Sequence, residues 1–239
     1  MGRRIGFAVS SANDIAIKHY MSVLGTDKII TPGGGWREFY AWVRGLYWKP
    51  LTTVVVGDEY FVPWLEYVKH KLRPYIVALN IGGGPEFDKV YTYADLGWGI
   101  DGVMWRRVGA RRQWRWKPIF MADSDALRAQ IVSCGYDAVC GGQGAYSAAD
   151  ILVVGGHRPV PYDIYEAAAT GMATLSIQDN AHWLREVSGY TDVFIDTDGL
   201  GIALKHVTRD DFKFRGTLAA EVVPGIRELR RRLFRLLLP

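Results

Sequence analysis

One carboxylate, Glu166, lies between two apolar segments, and its surroundings suit either a helix start or a ligand site. The segment before it reads "SAADILVVGG" and the segment after Gly171 reads "MATLSI", both typical of buried strands. The residues between them, "YDIYEAAATG", predict a short helix with Glu166 in its first turn. A carboxylate there is stabilised by the helix dipole. It can also accept two hydrogen bonds, as the two hydroxyls of a ribose offer.

Other carboxylates follow predicted strands in both halves of the chain. Asp58 and Glu59 come after "LTTVVVG", at a strand end where one of them could serve an acceptor hydroxyl as general base. Asp123 and Asp125 in "PIFMADSDAL" have a D-x-D spacing that could hold a hard cation such as Mg²⁺ or Mn²⁺. Helix N-capping is the alternative for each pair. We therefore expect no metal, and keep the D-x-D site as an alternative.

Short β-branched runs alternate with amphipathic segments along the whole chain. The predicted strands of the first half are "RIGFAVS", "DKIIT", "LTTVVVG", "PYIVALN", "KVYTY" and "DGVMW". Those of the second half are "PIFMA", "DAVCG", "DILVVGG", "MATLSI" and "DVFID". This order predicts an α/β protein with two tandem Rossmann-like parallel-sheet domains. Because ligands bind outside the carboxyl ends of such strands, we expect the domains to face a cleft that holds the site.

A change of composition marks the expected domain boundary. Residues 105–117, "WRRVGARRQWRWK", are rich in Arg and Trp and lack periodicity, which is typical of a linker. We therefore predict an N-terminal domain over 1–104 and a C-terminal domain over 118–239. Arg interleaved with Trp also occurs where single-stranded nucleic acid stacks, so nucleic-acid binding is a further, less favoured alternative.

The second half resembles the C-terminal domain of glycosyltransferases with the GT-B fold, especially the retaining family four. The resemblance rests on "AADILVVGGHRPVPYDIYEAAATGMATLSI" and on "DAVCGGQGAYSAAD" upstream, within roughly residues 137–196. It implies a GT-B-like enzyme that moves a sugar from a nucleotide-sugar donor to an unidentified acceptor, without another cofactor. It also implies that Glu166 binds the ribose hydroxyls, and that Gly142, Gln143 and Gly144 lie beside the base.

The chain departs from that family's pattern around the expected diphosphate. Arg158 stands where the family has a glutamate, Pro159 and Pro161 remove amide donors, and "MADSDALRA" is acidic where the family has Arg and Lys. An arginine cannot accept hydrogen bonds from hydroxyls, but it can clamp a diphosphate. The candidate diphosphate or sugar contacts are Arg158, His157, Tyr162, Arg106 and Arg107. These departures also support an alternative, a nucleotide- or sugar-binding protein without turnover.

Composition and net charge indicate which ligands, which cell compartment and which kind of source organism to expect. Hydrophobic residues make up 49% of the 239 residues, and the net charge of +4 favours anionic ligands without singling out nucleic acid. Cys134 and Cys140 are expected to be buried free thiols. No run approaches the ~20 apolar residues of a membrane span and no signal peptide is evident, which favours a cytoplasmic protein. The shortage of Asn and Gln hints at a thermophilic source.

The tail "RELRRRLFRLLLP" predicts a basic amphipathic helix. Its leucines share one face, which packs either on the core or on an anionic membrane surface. In GT-B enzymes such a terminal helix commonly returns to the first domain. Both alternatives remain open from the sequence.

Overall fold

The computed structural model describes residues 4–45, 50–112, 115–142, 144–188, 192–194, 197–209 and 212–239. The chain forms two compact units. Unit 1 comprises Met1–Gly97 and Arg227–Pro239, and unit 2 comprises Trp98–Ile226. The units therefore divide the chain after 97 and again after 226, whereas the sequence placed domain boundaries at 104 and 117.

Unit 1 contains a five-stranded parallel sheet in the order β2-β1-β3-β4-β5. Its β1 and β3 are buried along their whole length, and β4 is buried after Tyr75, as expected for a parallel sheet that is covered on both faces. The core between the sheet and two of these helices is built by Phe39, Phe61 and Leu65. The elements in chain order are β1 (Ile5–Ala8), α1 (Ile15–Leu24), β2 (Ile29–Ile30), α2 (Trp36–Arg44), β3 (Thr53–Val56), α3 (Val62–Leu72), β4 (Tyr75–Leu79), β5 (Lys89–Tyr91) and α4 (Tyr93–Leu96).

Unit 2 contains a second five-stranded parallel sheet, in the order β10-β9-β8-β6-β7. The central β8 is fully buried and pairs with β6 and β9. The elements in chain order are α5 (Gly102–Gly109), β6 (Phe120–Ala122), α6 (Asp125–Ser133), β7 (Ala138–Cys140), α7 (Ala145–Ala148), β8 (Ile151–Val154), α8 (Tyr162–Ala169), β9 (Ala173–Ile177), α9 (Ala181–Ser188), β10 (Asp192–Phe194), α10 (Thr197–Arg209) and α11 (Phe212–Val222).

Helix α5 corrects two expectations for the middle of the chain. The segment "DGVMW" is not a strand, because Asp101 accepts hydrogen bonds from the amides of Val103 and Met104 and so caps a helix. The first part of the Arg/Trp segment continues this helix and is not a linker. Gly109 packs so closely on the backbone of Thr170 that a β-carbon would overlap its carbonyl oxygen. Helix α5 is therefore an integral part of unit 2.

The C-terminal helix α12 (Ile226–Leu236) returns to unit 1. Leu229 and Leu233 are 1% and 0% exposed, and the carbonyl of Leu237 accepts a hydrogen bond of 2.7 Å from the hydroxyl of Thr53. The apolar face that would have to enter a membrane is thus part of a protein core. Core packing is the alternative that this burial favours. In the described ranges, every helix is too short or too polar to span a bilayer.

Candidate functional site

The parallel strands of unit 2 bring several polar segments to one edge of the sheet. Asp123 follows β6, the glycine loop of residues 141–144 follows β7, and Arg158 lies shortly after β8. Asn180 follows β9. All of these strands run in the same direction, so their carboxyl ends meet, as the sequence predicted for a ligand site.

Glu166 is the fifth residue of α8, so it lies in the second turn and not the first. The acidic residue of the first turn is Asp163. Partial burial raises the pKa of Glu166, the neighbouring hydroxyl of Tyr146 opposes this rise, and the charge of Asp163 adds to it. Glu166 is therefore a half-buried carboxylate with the hydroxyl of Tyr146 nearby.

Tyr146 connects Glu166 to the glycine loop. It is 8% exposed and lies on the short helix α7, directly after the loop. Burial and then the charge of Glu166 raise the pKa of the Tyr146 hydroxyl, which keeps it a hydrogen-bond donor. Gly142 has a φ of 154°, a conformation that favours glycine, and its carbonyl accepts from the amide of Ala145 at 2.9 Å.

Tyr146, the second residue after the glycine loop, therefore lies near Glu166. That the loop and Glu166 bind one ligand stays a prediction. Gly142 and Gly144 are exposed, and Gln143 lies outside the described residues. The residue that joins them, Tyr146, was not singled out from the sequence. Its place one turn after a glycine loop was the available signal.

Arg158 forms two ion pairs at this edge. Its Nη2 donates to Oδ2 of Asp123 at 2.9 Å, and its Nε donates to Oδ2 of Asp163 at 2.8 Å. The side chains of Asp123 and Asp163 are only 9% and 11% exposed, and that of Arg158 is 23% exposed. Partial burial alone would lower the pKa of Arg158, but the hydrogen bond and charge of Asp163 outweigh it and raise the pKa.

Backbone groups complete this network. Oδ2 of Asp123 also accepts from the amide of Gly155 at 2.9 Å, and Oδ1 of Asp163 accepts from the amide of Ile164 at 3.0 Å. The amide of Arg158 donates to Oδ1 of Asn180 at 2.7 Å, and its carbonyl accepts from the indole of Trp183 at 3.0 Å. Arg158 is therefore fixed by both its side chain and its backbone.

The two carboxylates of the D-x-D segment have different partners. Asp123 belongs to the Arg158 network, whereas Asp125 is exposed, pairs with Arg128 and accepts from the thiol of Cys140 at 3.0 Å. That thiol and then Arg128 lower the pKa of Asp125. Across the described ranges no three acidic, His or Cys side chains are grouped as a metal would need. The burial predicted for the thiols is wrong, since Cys134 is exposed and Cys140 is partly exposed.

The remaining candidates of unit 2 are solvent-facing. His157 and Tyr162 are exposed beside the Arg158 network, and Arg106 and Arg107 are exposed on α5. Arg112, in contrast, is partly buried and donates to the carbonyls of Gly171, Tyr146 and Thr170, at 3.0, 3.1 and 3.3 Å. It closes the carboxyl end of α8, where the carbonyls of a helix have no partner within it.

Asp58 and Glu59 lie in unit 1, directly after β3 and the Gly57 that follows it. Asp58 accepts a hydrogen bond of 2.7 Å from the amide of Tyr60, and so caps a short 3-10 turn over Glu59–Phe61. Glu59 is exposed. Of the two candidate bases, Glu59 is the one whose carboxylate is not engaged as this cap.

Comparisons with known proteins support the fold. No family model matches the chain, and no curated protein matches it in sequence. Among solved structures it is similar to WaaG, a glycosyltransferase involved in lipopolysaccharide biosynthesis, with a TM-score of 0.52 and 10% identity over 98% of this chain and 99% of that one. It also matches AviGT4, a glycosyltransferase involved in avilamycin A biosynthesis, with a TM-score of 0.46 and 12% identity over 99% and 94%.

The predicted fold class is confirmed by these findings. The chain is an α/β protein with two parallel-sheet units, and WaaG, to which its fold is similar, is a glycosyltransferase of the GT-B type. At 10% identity this likeness concerns the fold, and the chemistry must be argued from the site.

Proposed function

We propose that the chain is a glycosyltransferase that binds a nucleotide-sugar donor through unit 2 and belongs to the retaining family four. The observation that supports this most is the proximity of Glu166 to Tyr146, which directly follows the glycine loop at the carboxyl end of β7. The carboxyl ends of the strands are where open α/β sheets bind their ligands. The family assignment rests on the motif within residues 137–196.

In this proposal Glu166 holds the ribose of the donor. The hydroxyl of Tyr146 lies near this carboxylate, and the carboxylate retains lone pairs for the ribose diol. The base lies on the glycine loop, where Gly142 and Gly144 carry no side chain that would keep it away. Transfer then passes through an oxocarbenium-like state, as in glycoside hydrolysis. Glu59 is the proposed base for the acceptor hydroxyl.

A second candidate is a binding protein that holds the nucleotide without transfer. Its support is the Arg158 network, because a guanidinium paired with two carboxylates is poorly able to neutralise a leaving diphosphate. Nucleic-acid binding is less favoured, since Arg112 and Arg115 of the Arg/Trp segment donate to carbonyls within unit 2.

A thermal-shift screen tests donor binding. It uses nucleosides and nucleotide sugars of uracil, guanine, thymine, cytosine and adenine. We expect the compounds of one base to raise the melting temperature. This shift should be lost in Glu166→Ala and kept in Glu221→Ala. Glu221 is exposed on α11 of the same unit, so its substitution is a matched control. A protein that none of these compounds stabilises would refute both candidates.

Turnover separates the two candidates. Release of free nucleotide from the bound nucleotide sugar, measured with a panel of sugar and lipid acceptors, is expected for the transferase. We expect Glu59→Gln to reduce this release while leaving the thermal shift unchanged. Binding without any release across the panel would favour the second candidate.

A further inference from the structure

Two carboxylates of unit 2 accept hydrogen bonds from N–H groups that lie beside the proposed nucleotide site. Asp123 accepts from Nη2 of Arg158 and from the amide of Gly155, both at 2.9 Å. Asp163 accepts from Nε of Arg158 at 2.8 Å and from the amide of Ile164 at 3.0 Å. Four donors are thus directed at two internal anions.

These donors are of the kinds that proteins use to bind phosphate. An arginine fork matches phosphate oxygens, the amides at a helix start point at anions, and amides in turns form anion-binding concavities. Ile164 lies in the first turn of α8, and Gly155 directly follows β8. Asp123 and Asp163 therefore take the place that phosphate oxygens would otherwise fill.

Three residues of the surrounding segment cannot replace these donors through their backbone. Pro159 and Pro161 lack amide hydrogens, and Pro161 is the residue that precedes α8. The amide of Arg158 is bonded to Asn180. The formal charge of the three ionised side chains is −1, from one guanidinium and two carboxylates. A phosphate that arrives here meets a net negative charge and engaged donors.

The network lies close to the proposed ribose anchor. Asp163 and Glu166 are three residues apart on α8, which is about 4.5 Å along a helix axis, and the charge of Asp163 acts on Glu166. A 5′-phosphate begins one methylene beyond the ribose ring. The phosphates of a nucleotide whose ribose is held by Glu166 would therefore lie within the field of these carboxylates, which solvent screens poorly because both are mostly buried.

We propose that Asp123 and Asp163 determine specificity, because they accept the hydrogen bonds that the phosphates of the nucleotide-sugar substrate would otherwise accept. The site then selects a leaving group with at most one phosphate, and binds a nucleoside or nucleoside monophosphate in preference to the diphosphate. This inference rests on the proposed function, because it takes Glu166 as the ribose anchor.

Titration calorimetry with uridine, UMP and UDP, and with the same three forms of the other four nucleosides, tests the inference in the absence of divalent cations. For the base that binds, we expect the unaltered protein to bind the nucleoside diphosphate no more tightly than the nucleoside. In Asp123→Asn and in Asp163→Asn, diphosphate affinity is expected to rise by about tenfold, while nucleoside affinity stays within about twofold. Asp137→Asn removes the same charge at the amino end of β7 and should change neither.

Two outcomes would overturn the proposal. One is an unaltered protein that binds the diphosphate at least about tenfold tighter than the nucleoside, a result that requires no variant to fold. The other is an asparagine variant, folded by circular dichroism, whose affinities for nucleoside and diphosphate change together. If no form of any nucleoside binds, the proposed function fails and this inference falls with it, whereas nucleoside binding with strong diphosphate preference refutes the inference alone.

Discussion

Replacing Arg158 by Met is expected to destabilise unit 2 strongly. The change leaves Asp123 and Asp163, 9% and 11% exposed, without their cation. Removing one partner of a fully buried ion pair costs about 3–5 kcal/mol. Because the guanidinium is 23% exposed and water can reach part of the network, we expect about 2–3 kcal/mol here. For a chain of this size that corresponds to a fall of about 5–10 °C in the melting temperature.

Thermal unfolding followed by circular dichroism measures this effect, with Arg106→Met as the matched control. Arg106 is exposed on α5, so its loss should cost within about 0.5 kcal/mol. The triple variant with Asp123→Asn and Asp163→Asn should recover part of the loss, since it no longer buries unpaired charge. An Arg158→Met protein as stable as the control, or a triple variant less stable than Arg158→Met, would contradict the reasoning.

Three further predictions concern unit 2. Folding raises the pKa of Glu166, so the stability linked to its protonated form is present at low pH and is lost as the pH rises through the folded pKa. The melting temperature of Glu166→Gln should therefore exceed that of the unaltered protein by a margin that grows between pH 4 and 8. Equal dependence of the two melting temperatures on pH would contradict this. Gly109→Ala should cost at least about 2 kcal/mol because its methyl would overlap the Thr170 carbonyl, whereas Gly144→Ala, with open space around it, should be nearly neutral in urea unfolding. Arg112→Met should lower the free energy of unfolding in urea by about 2 kcal/mol through the lost bonds to the carbonyls at the end of α8, and an unchanged free energy would contradict this.

The Arg158 network joins two departures that the sequence showed separately. The sequence had an arginine where the related family has a glutamate, and an acidic segment where that family has basic residues. In the structure these positions, 35 residues apart, are directly hydrogen-bonded. The assignment of Arg158 as a diphosphate clamp stays a prediction, and the pairing with Asp123 and Asp163 is the main argument against it.

Local contacts decided several points that a sequence pattern does not reveal. "DGVMW" has the apolar composition of a strand, yet a capping aspartate starts a helix there. The tail leucines are equally suited to a membrane or a core, and only the neighbouring sheet of unit 1 decides between them. Likewise, Arg112 is indistinguishable by sequence from the exposed Arg106, although it closes a helix end.

The sequence by itself determined the α/β class, the two parallel sheets, and the sheet edge from which the glycine loop and the segment before α8 extend. These follow from local information, because hydrophobic periodicity and strand direction fix which residues share a sheet edge. Only the tertiary structure decided which side chains are paired there. Tyr146 with Glu166, and Arg158 with Asp123, are contacts between separate elements, and their partners depend on the order β9-β8-β6-β7 in the sheet, which no local pattern encodes.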